Sequence, residues 1–219
     1  MDGQLKLELG FLVVALVVAR IAYLIHKITT GHSRYAPKRQ KSCSTIICIG
    51  SGGHTTEMLR LIENLHFNNY TPRYYVIAKN DVTSFNKVTS LEEARKSSLN
   101  KDYFILNIPR SRCVGQSYVS SIFTTIYSIL YVLPVSFKLR PDLILCNGPG
   151  TCIPICVVSF LLKCCFLCET RIMFIESFCR TQTFSLTGKI LMYIADNFIV
   201  QWPSLKAKLK RAEYIGQLM

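Results

Sequence analysis

Three short stretches hold residue types, at spacings, that could grip phosphate and move a proton. The first is Gly50-Ser51-Gly52-Gly53-His54, with Thr55 beside it, placed between an apolar run and a helical pattern. Glycines there let backbone N–H groups converge on an oxyanion, and the positive end of the following helix adds to the attraction. His54 stands at the helix start. Histidine titrates near neutral pH and could take a proton from a hydroxyl, or could simply bond a backbone group at the surface. The second stretch, Asn147-Gly148-Pro149-Gly150-Thr151, repeats the arrangement, with Thr151 as the expected helix cap and Pro154 within the first turn. Two such turns at one edge suit a ligand with more than one phosphate. The third is Glu176-Ser177 with Arg180 one turn on. A carboxylate that closes an apolar strand is costly to bury without a task or a partner. Glu176 is therefore a second candidate base, with an ion pair to Arg180 as its plainer alternative, and Arg180 is a candidate phosphate partner.

The motifs that are missing narrow the chemistry. No Gly-Lys-Ser/Thr follows the first loop, and a threonine stands where the dinucleotide fingerprint needs its third glycine. There is no Asp-x-Asp, no paired Cys-x-x-Cys knuckle and no Gly-x-Ser-x-Gly elbow. Neither a metal nor a cofactor is expected.

The elements that must position these loops follow from the pattern. Of the 219 residues 50% are hydrophobic, and Lys+Arg 26 against Asp+Glu 13 gives a net charge of +13. Such a chain has ample apolar surface to fold, as one domain with a short appendage. The excess charge points to an anionic neighbour: nucleic acid, lipid headgroups or a phosphate-bearing substrate. Basic residues here lack the interleaved aromatics of an RNA module, which favours lipid over nucleic acid. Most of the 10 cysteines fall in apolar runs, as reduced thiols in a core would.

Short β-branched runs at 45–49, 73–78, 103–108, 143–146, 171–175 and 197–200 predict six strands. Helical spacing is read at 55–65, in a short exposed stretch around 91–98, and at 117–133, 153–162 and 186–196. Alternation of this kind, with near-continuously hydrophobic strands, predicts an α/β fold: a Rossmann-like doubly wound parallel sheet whose ligands bind beyond the carboxyl ends of its strands. One helix is ambiguous, because the 25 residues from 113 to 137 carry no charge. Ser117, Ser120, Ser121, Thr124, Thr125 and Ser128 line one face of it. Val119, Ile122, Phe123, Ile126, Leu130 and Leu133 line the other. That describes a crossover helix lying on the sheet, and leaves lipid contact on its apolar side open.

Leu9 to Ile25 is a run of 17 residues with one charge, Arg20. As a helix it is about 26 Å long, close to the thickness of a bilayer core. Asp2, Lys6 and Glu8 precede it, whereas Lys27, Arg34, Lys38, Arg39 and Lys41 follow. Positive residues stay cytosolic, so residues 1–8 are expected in the lumen, 9–28 as a transmembrane anchor, 29–42 as a basic linker and 43–212 as a cytosolic domain. Arg20 lies near the cytosolic end and can snorkel. A helix lying flat on the membrane is the alternative.

Taken together, GSGGHTTEMLRL, LILCNGPGTCIPIC, FIESFCR, SLTGKILMYIADNFIVQWP and the closing EYIGQLM resemble one family. It is the membrane-anchored subunit of the eukaryotic UDP-N-acetylglucosamine transferase that adds the second sugar to dolichol diphosphate in asparagine-linked glycosylation. The likeness runs from about Cys43 to Met219, and the anchor matches in character only. That family is similar in turn to the acceptor half of the bacterial transferase MurG, a GT-B glycosyltransferase. The resemblance implies a hexosyltransferase subunit that is inactive alone. A donor domain of about 150 residues would not fit in this length beside the acceptor domain. A separate soluble catalytic subunit would bind UDP-N-acetylglucosamine and dock on the tail 213–219, here Tyr214, Ile215, Leu218 and Met219. The site would lie on the cytosolic face of the endoplasmic reticulum membrane, with the nuclear envelope as a second location. The acceptor's diphosphate would rest on Gly50, Ser51, Gly52 and Gly53, with Asn147, Gly148 and Gly150 shaping the pocket. Either His54 or Glu176 would take the proton of the sugar's 4-hydroxyl, and residue types do not rank them. Two other readings remain: a pure membrane recruiter without a catalytic site, and a membrane-bound nicotinamide oxidoreductase, against which the broken fingerprint counts.

Overall fold

Side chains alternate across a strand, and here the alternation serves two hydrophobic layers. Ile46 and Cys48 join one core cluster, while Ile47 and Ile49 join the other. The computed structural model describes residues 2–34, 39, 41–95, 102–112 and 115–217. Its strands are β1 Thr45–Cys48, β2 Arg73–Ala78, β3 Tyr103–Ile108, β4 Leu143–Asn147, β5 Arg171–Ile175, β6 Asn197–Val200 and β7 Glu213–Tyr214. The helices are α1 Asp2–Thr29, α2 Gly53–Glu63, α3 Val82–Ala94, α4 Tyr118–Leu139, α5 Cys152–Cys164, α6 Leu186–Leu191 and α7 Pro203–Lys208. All neighbouring strands are parallel, in the order β3-β2-β1-β4-β5-β6-β7. The helices α2 and α3 cover one face, and α1, α4, α5, α6 and α7 contribute to the other. The direction of winding reverses between β1 and β4, so the loops after these two strands part and open a crevice.

Six expected strands are present, and β7 is an addition: the start of the expected tail adds to the sheet edge beside β6. The helix expected around 91–98 instead begins at Val82, where the Asp81 side chain accepts from Ser84 N, and residues 96–98 lie outside those described. Little apolar periodicity marks that start, because Val88 is the one buried aliphatic residue of α3. The helix expected over 186–196 stops at Leu191, and α7 was not anticipated.

Two helices among the described residues are long and apolar enough to cross a membrane, α1 and α4. In α1 most aliphatic side chains from Leu5 to Val18 are exposed, whereas Leu24 and Ile28 enter the core. The last two turns of the expected anchor thus dock on the domain, against α5. Arg20 does not simply snorkel: its guanidinium pairs with Glu169 at 3.0 Å and lies over the Phe166 ring. The linker is docked at its start too, where Arg171 bonds the carbonyls of Ser33 and Arg34.

The sidedness of α4 is the reverse of an ordinary amphipathic helix. Ser121, Ser128 and Ser136 are buried, with Ser128 Oγ donating to Pro109 O at 3.0 Å and Thr124 Oγ1 to Ser111 O at 2.6 Å. Phe123 is 70% exposed, and Val119, Ile122, Ile126, Leu130 and Leu133 are exposed with it. From Ser121 on its buried serines meet the protein, while these six apolar side chains are left uncovered.

A buried ion pair holds the β2 end of the sheet. Arg73 contacts Glu92 through Nε at 2.7 Å and Nη2 at 2.9 Å, and Tyr75 Oη donates to the same carboxylate at 2.6 Å. Removing one partner of such a pair strands a charge in low dielectric. Glu92→Ala is expected to destabilise the detergent-solubilised chain by about 3–5 kcal/mol in denaturant unfolding; a change within the error of the measurement would contradict the assignment.

Candidate functional site

The loop after β1 leads into α2 with Gly52 at the cap position, φ 63°, and no side-chain cap bond. The first N–H groups of a helix have no partner within it, so those of this turn are available to an anion. A Cβ placed on Gly52 or Gly53 would meet nothing within 4 Å, so both glycines open on free space. Gly50 serves another purpose. A Cβ there would lie 2.6 Å from His54 Cβ and 2.8 Å from Pro149 Cγ, so a side chain at 50 would push the two glycine loops apart. Thr55 is buried and turned inward, bonding the Gly50 carbonyl and Ser84 Oγ, and thereby braces the loop from below. Ser84 Oγ donates to the same carbonyl at 3.1 Å.

The loop after β4 comes to the same place. Asn147 is fully buried, and its Nδ2 donates to His54 O at 3.1 Å and to Glu57 Oε2 at 3.4 Å. Gly148 has φ 54°, and a Cβ there would sit 2.7 Å from His54 Cε1. Gly150 faces open space. Thr151 occupies the cap position without the expected cap bond. Among the described residues its Oγ1 has no hydrogen-bond partner, and the same holds for Asn147 Oδ1 and His54 Nδ1.

His54 is part exposed, and its ring lies against Gly148 with Nδ1 3.5 Å from Glu57 Oε2. Glu57 was not singled out from the sequence. It is 3% exposed and is the polar hub of the crevice floor. Its Oε1 accepts from Phe178 N at 2.6 Å and from Gln201 Nε2 at 3.0 Å, and its Oε2 from Ser177 Oγ at 3.2 Å. Burial pushes the Glu57 carboxyl up, but the neighbouring His54 ring and hydrogen bonds from Phe178 N–H and Gln201 outweigh it, leaving the group below the ordinary carboxylate range. The available signal was its spacing: three positions after His54, it shares a helix face with it.

Glu176 is fully buried and turned toward α6. Its Oε2 accepts from Ser185 N at 3.0 Å and Ser185 Oγ at 3.2 Å, and its Oε1 from Ser177 N at 3.1 Å. Burial raises its carboxyl above the usual value despite these bonds. A Cβ on Gly188 would collide with Glu176 Oε2. The side chain of Arg180 is exposed, and no ion pair joins it to Glu176 among the described residues. The structure thus gathers His54, Asn147, Gly148 and both open glycine turns around one crevice, and sets Glu176 behind its wall. No group of three or more His, Cys, Asp or Glu among the described residues is arranged to hold a metal ion.

The profile of the family described as "Oligosaccharide biosynthesis protein Alg14 like" matches residues 45–218. The chain belongs to the Alg14 family. Its relatives include the UDP-N-acetylglucosamine transferase subunit ALG14 of Rattus norvegicus, 47% identical over 82% of this chain and 85% of the relative. The same-named subunits of Mus musculus and Yarrowia lipolytica are 43% and 40% identical, over 96% and 94% of this chain and 100% and 95% of theirs. In fold the chain is similar to LpCGTa, solved in complex with UDP, with a TM-score of 0.50 and 12% identity. It covers 80% of this chain and only 51% of that one, so the Alg14-family domain corresponds to about half of LpCGTa, one Rossmann-like lobe of GT-B type.

Glu213 and Tyr214 of this Alg14-family chain join the same sheet as β7. Tyr214 in β7 and Ile215 after it are exposed, and Leu218 and Met219 lie outside the described residues. The glycines separate by what surrounds them, which gives a direct test. Gly188→Ala is expected to destabilise the fold by about 1–3 kcal/mol through overpacking against Glu176, whereas Gly150→Ala should stay within about 0.5 kcal/mol of the parent. Thermal unfolding of both variants checks this, and equal effects would refute the distinction.

Proposed function

We propose that this chain is the membrane-held, acceptor-binding subunit of a UDP-N-acetylglucosamine transferase. It works with a separate donor-binding subunit to add the second sugar to GlcNAc-diphosphate-dolichol on the cytosolic face of the endoplasmic reticulum. The observation that carries the reading is His54 held at the switch-point crevice beside the open turn of Gly52 and Gly53, in a chain whose relatives are named as subunits of that transferase. The acceptor's diphosphate lies on the N-terminal turn of α2, where converging N–H groups and the helix dipole meet its charge. Asn147 and Gly148 keep the second loop against His54, and Arg180, exposed at the rim, supplies a cation for phosphate.

The reaction is an inverting transfer. The acceptor's O4–H bond breaks as its proton passes to His54, the O4 lone pair forms the new bond to the donor sugar's C1, and the bond from C1 to uridine diphosphate breaks with its electron pair leaving on the phosphate. His54 is preferred to Glu176 as the base because its ring is part exposed in the crevice, whereas Glu176 is walled in and engaged with Ser185. Tyr214 and Ile215 offer an exposed apolar edge to the donor-binding subunit. The exposed stretch of α1 enters the bilayer, and the uncovered apolar face of α4 rests on it. Together they hold the crevice close to a lipid whose tail never leaves the membrane.

In the reconstituted pair, His54→Ala is expected to lower kcat by about 10²–10⁴-fold, while Glu176→Gln costs stability and leaves kcat near that of the parent. Full activity of the His54 variant would leave only a scaffold role. For the membrane contact, a chain lacking residues 2–18 should still float with vesicles, and Val119→Ser, Ile122→Ser and Phe123→Ser together should release it. Unaltered flotation of that variant would refute contact through α4.

A further inference from the structure

We propose that Glu57 is a positioning residue for His54, holding the imidazole with Nδ1 protonated so that Nε2 is bare and able to accept the acceptor's proton. The identity of that proton rests on the function proposed above. The pairing itself rests on geometry.

Glu57 follows His54 by one turn of α2, and its Oε2 lies 3.5 Å from His54 Nδ1. Catalytic hydrogen bonds are often long before substrate is bound and tighten in the complex. The carboxylate cannot easily move to meet other demands, because donors from outside α2 fix it: Phe178 N, Ser177 Oγ, Gln201 Nε2 and Asn147 Nδ2. The ring is equally confined on its other side. Cβ atoms placed on Gly50 and Gly148 would fall 2.6 Å from His54 Cβ and 2.7 Å from Cε1, so both loops leave a slot that the imidazole fills. With Nδ1 3.5 Å from a fixed anion, a proton on Nδ1 is favoured, and the second ring nitrogen becomes the base. When the acceptor's O–H bond breaks and its proton binds Nε2, the resulting imidazolium keeps Nδ1–H on Glu57, whose negative charge balances the new positive one. The proton remains on His54, and the electron pair of the O–H bond stays on O4 as an O4 lone pair forms the new glycosidic bond.

Other titratable groups near this pair are accounted for. The buried Cys152 thiol in the first turn of α5 is near enough to feel the His54 charge but bonds Cys146 and Cys48. Asp81 caps α3 and bonds Ser84 and Ser51, and Lys87 of α3 bonds Thr56. Glu176 of β5 is held by Ser185.

The test is the NMR titration of the His54 imidazole in the full chain in detergent, which needs no turnover. Glu57→Gln is expected to move the His54 titration to lower pH, since a cation has lost its counter-charge, and Glu57→Asp to move it less. In the pair with its donor-binding subunit, Glu57→Gln should lower kcat by about tenfold or more with KM little changed, and shift the acid limb of the pH–rate profile down. His54→Gln should abolish that limb. A His54 titration that stays in place in both Glu57 variants would overturn the inference, as would a wild-type acid limb in folded Glu57→Gln. Failure of the parent pair to transfer sugar would instead remove the proposed function, while the titration decides the His54–Glu57 pair on its own.

Discussion

A carboxylate buried among apolar side chains costs several kcal/mol unless donors surround it, and that requirement organises this crevice. Glu57 meets it with a backbone N–H from Phe178, a hydroxyl from Ser177 and amides from Gln201 and Asn147. Those donors come from the end of β4, the chain beyond β5 and the chain beyond β6, whereas Glu57 itself rides on the helix after β1. A parallel sheet fixes the spacing of its strands but leaves the loops at its carboxyl edge free to diverge. The Glu57 carboxylate removes that freedom by tying three of them to one point. His54 therefore sits where the second glycine loop can enclose it.

Glycine has two separate uses around this point. At Gly50 and Gly148 it lets backbone approach the imidazole, and at Gly188 it lets backbone approach Glu176. At Gly52, Gly53 and Gly150 nothing stands where a side chain would be, so the backbone stays open toward the crevice. The first set fits backbone closely around His54 and Glu176, and the second leaves the crevice open. Ser84 and Thr55, both bonded to the Gly50 carbonyl, keep the turn from relaxing between these roles.

The strands were legible because a parallel sheet buried on both faces demands β-branched runs, and those runs stand out between glycine and charge. His54, Asn147 and the two glycine loops were legible for the same reason, since each directly follows such a run. Glu57 was not. It lies between Thr56 and Met58 on α2, and only its tertiary surroundings distinguish it from the exposed Arg60 and Glu63 of the same helix. Glu176 misled in the opposite sense: its place at a strand end was read correctly, yet the side chain turns to the start of α6, a direction that depends on Ser185 and Gly188 further along. In α4 the two faces could be listed from the sequence but not oriented. A serine face ordinarily meets water, and here it meets the carbonyls of Pro109 and Ser111, whose position depends on the path of the loop after β3.

That inverted helix, the exposed length of α1 and the open glycine turns of the crevice are the features that the proposed function brings together at a lipid surface. The central claim is that His54 and the α2 turn share one amphiphilic acceptor. A structure of this chain with its donor-binding subunit, UDP and GlcNAc-diphosphate-dolichol tests it most directly. The account predicts the sugar's 4-hydroxyl within about 3 Å of His54 Nε2, with the diphosphate on the backbone of Gly52 and Gly53. A diphosphate bound away from both glycine loops, with that hydroxyl out of reach of His54, would contradict it.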